Sequence, residues 1–293
     1  MRGKRPGDKA RPILKWAGGK ARLLPELLRR IPDGFRTYHE PFVGGGALFF
    51  ALWIAGRIRR ASLSDVNGEL IDMYETVRDD VEGVIRALAH HDNEKGHFYR
   101  IRAQNPRRLS RVARAARLIY LHKPCFNGLY RVNSRGQFNV PFGDNPRANY
   151  RDAEALRSAS KALYDVELRC ESFDAVLDRA KPGDFVYFDP PYQPLSKTSS
   201  FTAYARDGFG EAEQHRLAEV FRTLAARGVH VLLSNSDTPW VRELYRDHLI
   251  GVVHASRAIN SRADRRGRIA EVLVVGEAAS SAAVGQRKAK KQA

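Results

Sequence analysis

Residues 184–192 read DFVYFDPPY, and this segment decides the fold class. The apolar run 185–188 shows no polar alternation, which predicts a strand buried on both faces of a parallel sheet. In open sheets of this kind, ligands bind beyond the carboxyl ends of the strands. The sequence therefore predicts an α/β fold in which Asp189 to Tyr192 line a site.

The four residues after this strand suit one kind of chemistry. An aromatic amino group such as that of adenine is a weak nucleophile, because its lone pair is conjugated into the ring. The Asp189 carboxylate and the Pro190 carbonyl offer two acceptors that would draw the amino nitrogen toward tetrahedral geometry. Pro191 fixes the direction of the backbone, and Tyr192 can stack on the base. The alternative is an acid that caps a tight turn where a strand ends.

The composition favours a polyanionic partner. The 293-residue chain has 50 Lys and Arg against 33 Asp and Glu, a formal net charge of +17. Nucleic acid is the commonest partner of such an excess, although basic surfaces also serve solubility or membrane adhesion. The two cysteines, Cys125 and Cys170, make neither a disulfide framework nor a metal site. Without a bilayer-length apolar segment or a signal-peptide core, we expect a cytoplasmic protein with no membrane partner.

Two glycine-rich turns precede predicted helices in the first part of the chain. Residues 12–20 read PILKWAGGK, and such a turn before a helix is a candidate cradle for an anion. Residues 37–47 read TYHEPFVGGGA, a strand, turn and helix that begin a nucleotide-binding fold. The Gly-x-Gly-x-x-Gly spacing is not met, which argues against NAD and for another adenosine-bearing cofactor. Asp65, at the end of the second predicted strand, would bind ribose hydroxyls or cap the following helix.

The middle of the chain combines helices with a hairpin. Residues 72–121 have a helical pattern, and the arginines over 107–117 make either a positive stripe or a solvated face. Residues 125–143 alternate turn residues with aromatic, arginine and asparagine side chains, as in a β-hairpin that carries a recognition surface. Arginine and asparagine read base edges, and an aromatic ring can wedge into a base stack. The alternative is an ordinary hairpin that packs its phenylalanines.

The sheet pattern resumes after the hairpin. Strands are predicted over 166–170, 229–233, 252–254 and 272–275, and a helix is predicted to begin at Pro239. A Ser- and Thr-rich loop over 194–209 is predicted to be a lid beside the site. The basic segments 1–11 and 278–293 are predicted to be a mobile arm and a disordered tail.

Five motifs occur in the order typical of one family. They are LKWAGGK at 14–20, EPFVGGG at 40–46, Asp65, FNG at 126–128 and DPPY at 189–192. From Pro12 to Val275 the chain resembles the Dam-type (D12 class) DNA adenine N6-methyltransferases. The resemblance implies a Rossmann-like, S-adenosylmethionine-dependent methyltransferase sheet with an inserted, mainly helical target-recognition domain that carries a β-hairpin.

The resemblance also implies a domain division and a cofactor. The catalytic domain would comprise residues 12–70 and 150–277, and the recognition domain residues 71–149. S-adenosylmethionine would be the methyl donor, and no metal ion is implied. The residues implied to bind it are Trp16, Lys20, Glu40, Phe42, Gly44, Gly46, Asp65, Ser172, Phe173 and Asp189. The residues implied in catalysis are Asp189, Pro190, Pro191 and Tyr192.

The implied partner is double-stranded DNA, with or without a cognate restriction endonuclease from a restriction-modification system. The residues implied to contact DNA are Lys15, Phe126, Asn127, Leu129, Arg131, Asn133, Asn139 and Pro141. Phe126 would lie near the space that a flipped adenine vacates, and Arg131 would read a guanine. GATC is the favoured target, although Asp144 stands where the family often has a basic residue.

Three other functions fit parts of the sequence. A regulator on an inactive methyltransferase fold would bind DNA without methyl transfer, but Asp189 and Asp65 are intact. Methylation of cytosine or of an RNA base uses the same fold, although cytosine enzymes more often have serine where Asp189 stands. A metal-dependent nuclease that uses the two carboxylates would need a cluster of further carboxylates, which the sequence lacks.

Overall fold

The structure is a computed structural model that describes residues 10–14, 16, 20–126, 129–133, 135–143, 145, 148–194, 209–256 and 268–276. Lys15, Asn127, Asp144, most of the basic arm, the basic tail and residues 195–208 of the predicted lid lie outside these residues. The chain divides into two compact units. The first comprises Met1–Leu24, Val43–Ile58 and Ser64–Cys170, and the second comprises Pro25–Phe42, Arg59–Leu63 and Glu171–Ala293.

Within the described residues, seven strands form one sheet. They are β1 (Tyr38–Glu40), β2 (Ala61–Asp65), β3 (Val166–Cys170), β4 (Phe185–Phe188), β5 (His230–Ser236), β6 (Leu249–Ser256) and β7 (Arg268–Gly276). Their order is β3-β2-β1-β4-β5-β7-β6. β1 runs parallel to β2 and β4, and β4 runs parallel to β5, whereas β7 is antiparallel to β5 and β6. The predicted Rossmann-like α/β class is confirmed.

Nine α-helices lie in the same described segments. They are α1 (Leu24–Arg30), α2 (Ala47–Ile54), α3 (Gly68–Asp79), α4 (Val81–Ala89), α5 (Lys95–Ala103), α6 (Arg111–His122), α7 (Ala153–Leu163), α8 (Glu211–Ala226) and α9 (Pro239–Leu244). α9 begins at Pro239, as predicted, because proline at the first helical position loses no intrahelical hydrogen bond. In the part of the chain that the structure describes, no helix combines the length and apolar character needed to cross a bilayer.

The core of the second unit explains why 185–188 is a strand. All four side chains of β4 are buried, as expected for a central strand covered on both faces. Val186 and Phe188 belong to one apolar cluster with Leu217 and Phe221 of α8. Each such side chain contributes about 1.5–3 kcal/mol when fully buried. This packing gives the loop that follows β4 a fixed base.

The arginines of α6 have a different role from the one the sequence suggested. In the first unit α6 packs against α3, α4 and α5. Three of its arginines pair with carboxylates of α3, and the pairs are Arg111–Glu75, Arg114–Asp72 and Arg117–Glu69. Arg117 is only 3% exposed. These three arginines therefore do not form an unpaired positive stripe, one of the two alternatives, because helix packing brings each one to an acid.

Candidate active site

The predicted catalytic residues form one loop directly after β4. The Asp189 Oδ1 atom accepts a hydrogen bond from the Ser234 hydroxyl of β5 at 3.0 Å. The same hydroxyl lies 3.0 Å from the buried Tyr187 Oη atom. Burial raises the pKa of Tyr187, which keeps its hydroxyl protonated. The sheet therefore fixes the position of the Asp189 carboxylate through Ser234.

Tyr192 is held by its hydroxyl. Its Oη atom donates to Glu271 Oε2 of β7 at 2.7 Å. Burial raises the pKa of Tyr192 well above its usual range, and the carboxylates of Asp189 and Glu271 raise it further. The phenol is therefore a neutral donor, and the bond to Glu271 restricts the orientation of the ring.

The backbone of this loop is held by two buried side-chain amides. Gln214 Nε2 of α8 donates to the Pro191 carbonyl at 2.8 Å. Asn235 Nδ2 of β5 donates to Gln214 Oε1 at 3.1 Å, and the Gln193 N–H donates to Asn235 Oδ1 at 3.1 Å. No pattern in the sequence pointed to a role for Gln214, Ser234, Asn235 or Glu271.

An aromatic cluster in the second unit contains the two phenylalanines predicted to pack on adenine. The rings of Phe42 and Phe173 stack with centroids 5.4 Å apart and planes 23° apart. Phe209 meets both rings edge-on, at 5.5 and 5.8 Å. The Arg216 guanidinium lies 4.7 Å from the centroid of the Phe173 ring and donates to the Ser172 hydroxyl at 2.9 Å. Phe42, Ser172 and Phe173 are thus brought together.

Glu40 ends β1 and is almost fully buried. The pKa of Tyr38, two residues earlier, is raised well above its usual range by burial and by the Glu40 carboxylate. Among the residues predicted to bind the cofactor, Glu40 is thus a buried carboxyl group at the carboxyl end of a parallel strand.

The glycine-rich turn of the first unit contacts Asp65 directly. Gly44 and Gly46 have φ angles of 45° and 65°, which favour glycine. Asp65 Oδ2 accepts from the Gly44 N–H at 3.1 Å, and Asp65 Oδ1 accepts from the Asn67 N–H at 3.0 Å. Burial raises the pKa of Asp65, although these N–H groups oppose the shift. Asp65 does not cap α3, because the side chain of Asn67 does so.

Trp16 covers the same turn. A Cβ atom at Gly44 would lie 2.7 Å from Trp16 Cδ1, so the close approach requires glycine. The Trp16 ring stacks on His122 at 5.7 Å and on Tyr130 at 5.1 Å. Lys20, only 7% exposed, begins a 3-10 helix over Lys20–Arg22. The structure therefore brings Trp16, Gly44 and Asp65 together, and it adds His122 and Tyr130, which the sequence analysis did not identify.

The predicted hairpin is closed by two isolated antiparallel bridges, Cys125–Phe142 and Val132–Phe138. Phe126 is 49% exposed, and Arg131 and Pro141 are also exposed, whereas Leu129 is half-buried. A protruding aromatic ring beside an exposed arginine is the surface expected of a segment that inserts into a groove of DNA.

Two asparagines predicted to contact DNA have partners inside the hairpin. Arg131 Nε donates to Asn139 Oδ1 at 2.7 Å, and Arg131 Nη2 donates to the Asn139 carbonyl at 3.4 Å. The remaining N–H groups of the two terminal nitrogens are further donors of the guanidinium. Asn133 Oδ1 accepts from the Arg135 and Gln137 N–H groups and so shapes the turn. Asn139 orients Arg131, and Asn133 stabilises the tip.

The family model and the relatives that are similar in sequence agree on one family. The sequence model of the D12 class N6 adenine-specific DNA methyltransferases matches residues 16–259. The type II methyltransferase M1.LlaDCHI of Lactococcus lactis subsp. cremoris is 41% identical over 272 residues, which are 90% of this chain and 94% of that protein. The DNA adenine methylase of Escherichia coli (strain K12) is 36% identical over 271 residues, 91% and 95% of the two chains. Among solved structures, the human methyltransferase 10 domain containing protein aligns with a TM-score of 0.42 and 7% identity, over 92% of this chain and 83% of that one.

Proposed function

The chain belongs to the D12 class of N6 adenine-specific DNA methyltransferases, and from this premise we propose the details of its reaction. It is a DNA adenine methyltransferase, and its substrate is DNA. We propose that the methyl donor is S-adenosylmethionine and that the acceptor is N6 of an adenine flipped out of duplex DNA. The observation that carries this proposal is the DPPY loop, in which the sheet fixes the Asp189 carboxylate through Ser234.

The residues present fit S-adenosylmethionine. In the first unit, Trp16 lies against Gly44, and the Asp65 carboxylate ends β2, the position that suits ribose hydroxyls. In the second unit, the stacked rings of Phe42 and Phe173 suit the face of an adenine. When bound, the cofactor supplies an electrophilic methyl group on a sulfonium. The proposed cofactor residues remain Trp16, Lys20, Glu40, Phe42, Gly44, Gly46, Asp65, Ser172, Phe173 and Asp189.

The loop residues account for the activation of the amino group. Asp189 and the Pro190 carbonyl would each accept one amino hydrogen, which pulls the lone pair of N6 out of conjugation. These acceptors would also stabilise the positive charge that develops on N6 as it bonds to the methyl carbon, while the carbon–sulfur bond breaks and the donor leaves as a neutral thioether. Tyr192 would stack on the flipped base, with its ring orientation set by Glu271. One amino proton is then lost to solvent.

We propose that the hairpin reads the target. An exposed phenylalanine such as Phe126 can fill the space left in the base stack. Arg131, oriented by Asn139, can donate two hydrogen bonds to guanine. This supports a target that contains guanine next to the methylated adenine, and GATC remains the favoured sequence. Lys15, Leu129, Asn133 and Pro141 are proposed as further contacts, together with Asn127.

Other parts of the functional prediction also remain proposals. Residues 12–70 and 150–277 would act in catalysis, and residues 71–149 in target recognition. The Lactococcus lactis relative is a type II methyltransferase by name, which supports a partnership with a cognate restriction endonuclease. The enzyme would act in the cytoplasm, because its DNA substrate lies there in bacteria.

The test is methyl transfer from labelled S-adenosylmethionine to unmethylated genomic DNA, followed by hydrolysis to nucleosides and by single-molecule mapping. We expect N6-methyl-2′-deoxyadenosine confined to one short sequence. Methylcytosine or labelled RNA would contradict the substrate, and DNA binding without transfer would favour the regulator. Label at GATC supports the favoured target, whereas label at another sequence replaces it.

A further inference from the structure

The loop that follows β4 has few hydrogen-bond donors of its own. Residues 189–194 read DPPYQP, so half of the positions are proline and lack an N–H group. A backbone segment of this kind cannot be held by a ladder of main-chain hydrogen bonds. Side chains from other elements must therefore set the direction of its carbonyl groups.

Two buried amides supply those bonds. Gln214 and Asn235 are 1% and 0% exposed. The Gln214 amide nitrogen donates to the Pro191 carbonyl, and the Gln214 amide oxygen accepts from Asn235. The Asn235 amide oxygen accepts from the N–H groups of Gln193 and Ser236, at 3.1 and 2.8 Å. The two amides thus hold the backbone on both sides of Tyr192.

A third bond closes the arrangement. Ser236 Oγ donates to the Gln193 carbonyl at 2.7 Å, so Gln193 is held at both its N–H and its carbonyl. Because the groups are buried, breaking one bond leaves a polar atom without a partner, which costs more than the bond itself contributes. The loop backbone beyond Pro191 therefore has one strongly preferred arrangement.

The network distinguishes two neighbouring carbonyls. The Pro191 carbonyl accepts from Gln214, whereas no described residue donates to the Pro190 carbonyl. A carbonyl that already has a buried donor is a poorer acceptor for substrate than one that has none. Gln214 thereby determines which carbonyl of the two prolines remains for an incoming amino group.

We propose that Gln214 and Asn235 are positioning residues that aim the Pro190 carbonyl at the adenine amino group. They act on the backbone of Pro191 and Gln193 and do not touch the reacting atoms. This inference rests on the proposed function, because it assumes that the loop binds an amino group. It assigns a role in the reaction to α8 and to the end of β5, outside the DPPY motif.

The first variant is Gln214→Glu, which keeps the size and the oxygen that accepts from Asn235. An ionised carboxylate has no proton to donate, so the bond to the Pro191 carbonyl is lost. We expect kcat to fall about 100-fold, the scale of a displacement of about 1 Å in a reacting group. KM for S-adenosylmethionine and the affinity for DNA should stay within about twofold of wild type, because the variant removes an interaction that matters in the transition state.

The pH profile separates positioning from a merely structural role. Burial raises the pKa of a carboxyl group, and the protonated form can again donate to the Pro191 carbonyl. Lowering the pH from about 8 to about 6 should therefore raise kcat of Gln214→Glu relative to wild type by about tenfold. The matched control is Glu219→Gln, the reverse exchange at an exposed position of α8, which should follow the wild-type profile.

A second variant keeps the proposal testable if Gln214→Glu does not fold. Asn235→Asp retains the oxygen that binds the Gln193 N–H but loses the donor to Gln214, so it should show the same fall in kcat with unchanged KM. The double variant should lower kcat by less than the product of the two single falls, since both substitutions disrupt one network.

The outcomes are distinct. Wild-type enzyme without methyl transfer would overturn the proposed function. Active wild type, with folded variants that keep wild-type kcat, would overturn only the positioning role. A loss of kcat that is independent of pH and parallel to a loss of folded protein would also overturn it.

Discussion

The loop over 189–194 and the tip of the hairpin over 125–143 are held in different ways. Side chains from β5, β7 and α8 fix the loop at a carboxylate, a phenol and its backbone, and those of Ser234 and Gln214 are buried. The base of the hairpin packs on the rest of the first unit, where Tyr130 donates to Glu69 and the Phe142 ring contacts Phe98. Its tip is held by the Val132–Phe138 bridge and by hydrogen bonds within the pairs Arg131–Asn139 and Asn133–Gln137. The loop is therefore set by tertiary structure, and the tip of the hairpin mainly by local structure.

The difference matches two tasks. Charge stabilisation at a reacting nitrogen requires acceptors that are in place before the reaction, and buried supporting bonds provide this. Recognition of DNA requires exposed groups that reach base edges, and such groups can be exchanged at little cost to the fold. The two regions should thus respond differently to substitution, with kcat changing in one and affinity or specificity in the other.

The largest effect is expected at the loop. Asp189→Ala removes the acceptor that the sheet fixes, and kcat should fall by about 10³-fold or more. Single-turnover methyl transfer at saturating DNA and cofactor measures this loss, and equilibrium titration should find DNA affinity close to wild type. Appreciable transfer by the folded variant would contradict the role assigned to Asp189.

A smaller effect is expected at Ser234, which contacts Asp189 rather than the substrate. Ser234→Ala removes the hydroxyl that donates to Asp189, and kcat should fall about tenfold, the equivalent of a typical hydrogen bond to a charged group. Steady-state kinetics with unchanged DNA affinity would support this. Thr223→Ala is the control, because the Thr223 hydroxyl is exposed and bonds only within α8. Equal kinetics for both variants would show that the bond from Ser234 has no role.

The hairpin should respond in binding rather than in rate. Arg131→Ala should weaken binding to the cognate sequence by about 1–3 kcal/mol and relax discrimination at one base pair. Competition binding with single-base variants of the site measures both. Arg135→Ala, also exposed in the hairpin, should weaken all sequences alike, as loss of a general charge does. If Arg131→Ala lowered kcat at saturating DNA instead, the separation of the two regions would fail.

The smallest effect is expected at the tip of the hairpin. Asn133→Ala removes the acceptor that shapes the turn, so hydrogen exchange should speed up near residues 135–137. The free energy of unfolding should change by no more than about 0.5 kcal/mol, as for other surface substitutions. A cooperative loss of stability would show that the hairpin is integral to the fold of its unit.

Much of the fold follows from local sequence. The apolar run of β4 and the start of α9 at Pro239 were predicted, because unbroken hydrophobicity and proline geometry act within a few residues. Asp65 was placed at the end of β2 on the same grounds. The turn at Asn133, three residues before Gly136, also has a local signal in the sequence, because asparagine and glycine are typical turn residues.

The supporting groups could not be predicted in this way. Gln214 lies in an ordinary amphipathic helix, and Glu271 in a strand whose partner is distant in sequence. Their roles depend on which elements become neighbours, a result of packing rather than of local pattern. The pairing of Arg117 with Glu69 has the same origin.

The most direct test compares Asp189→Ala with Arg131→Ala in single-turnover methyl transfer from labelled S-adenosylmethionine, at saturating DNA, beside a DNA titration of each. We expect N6-methyl-2′-deoxyadenosine from wild type, almost none from Asp189→Ala despite retained DNA binding, and a near-normal rate with weakened cognate binding from Arg131→Ala. A near-normal rate for Asp189→Ala, or a rate loss for Arg131→Ala that saturating DNA does not restore, would contradict this expectation.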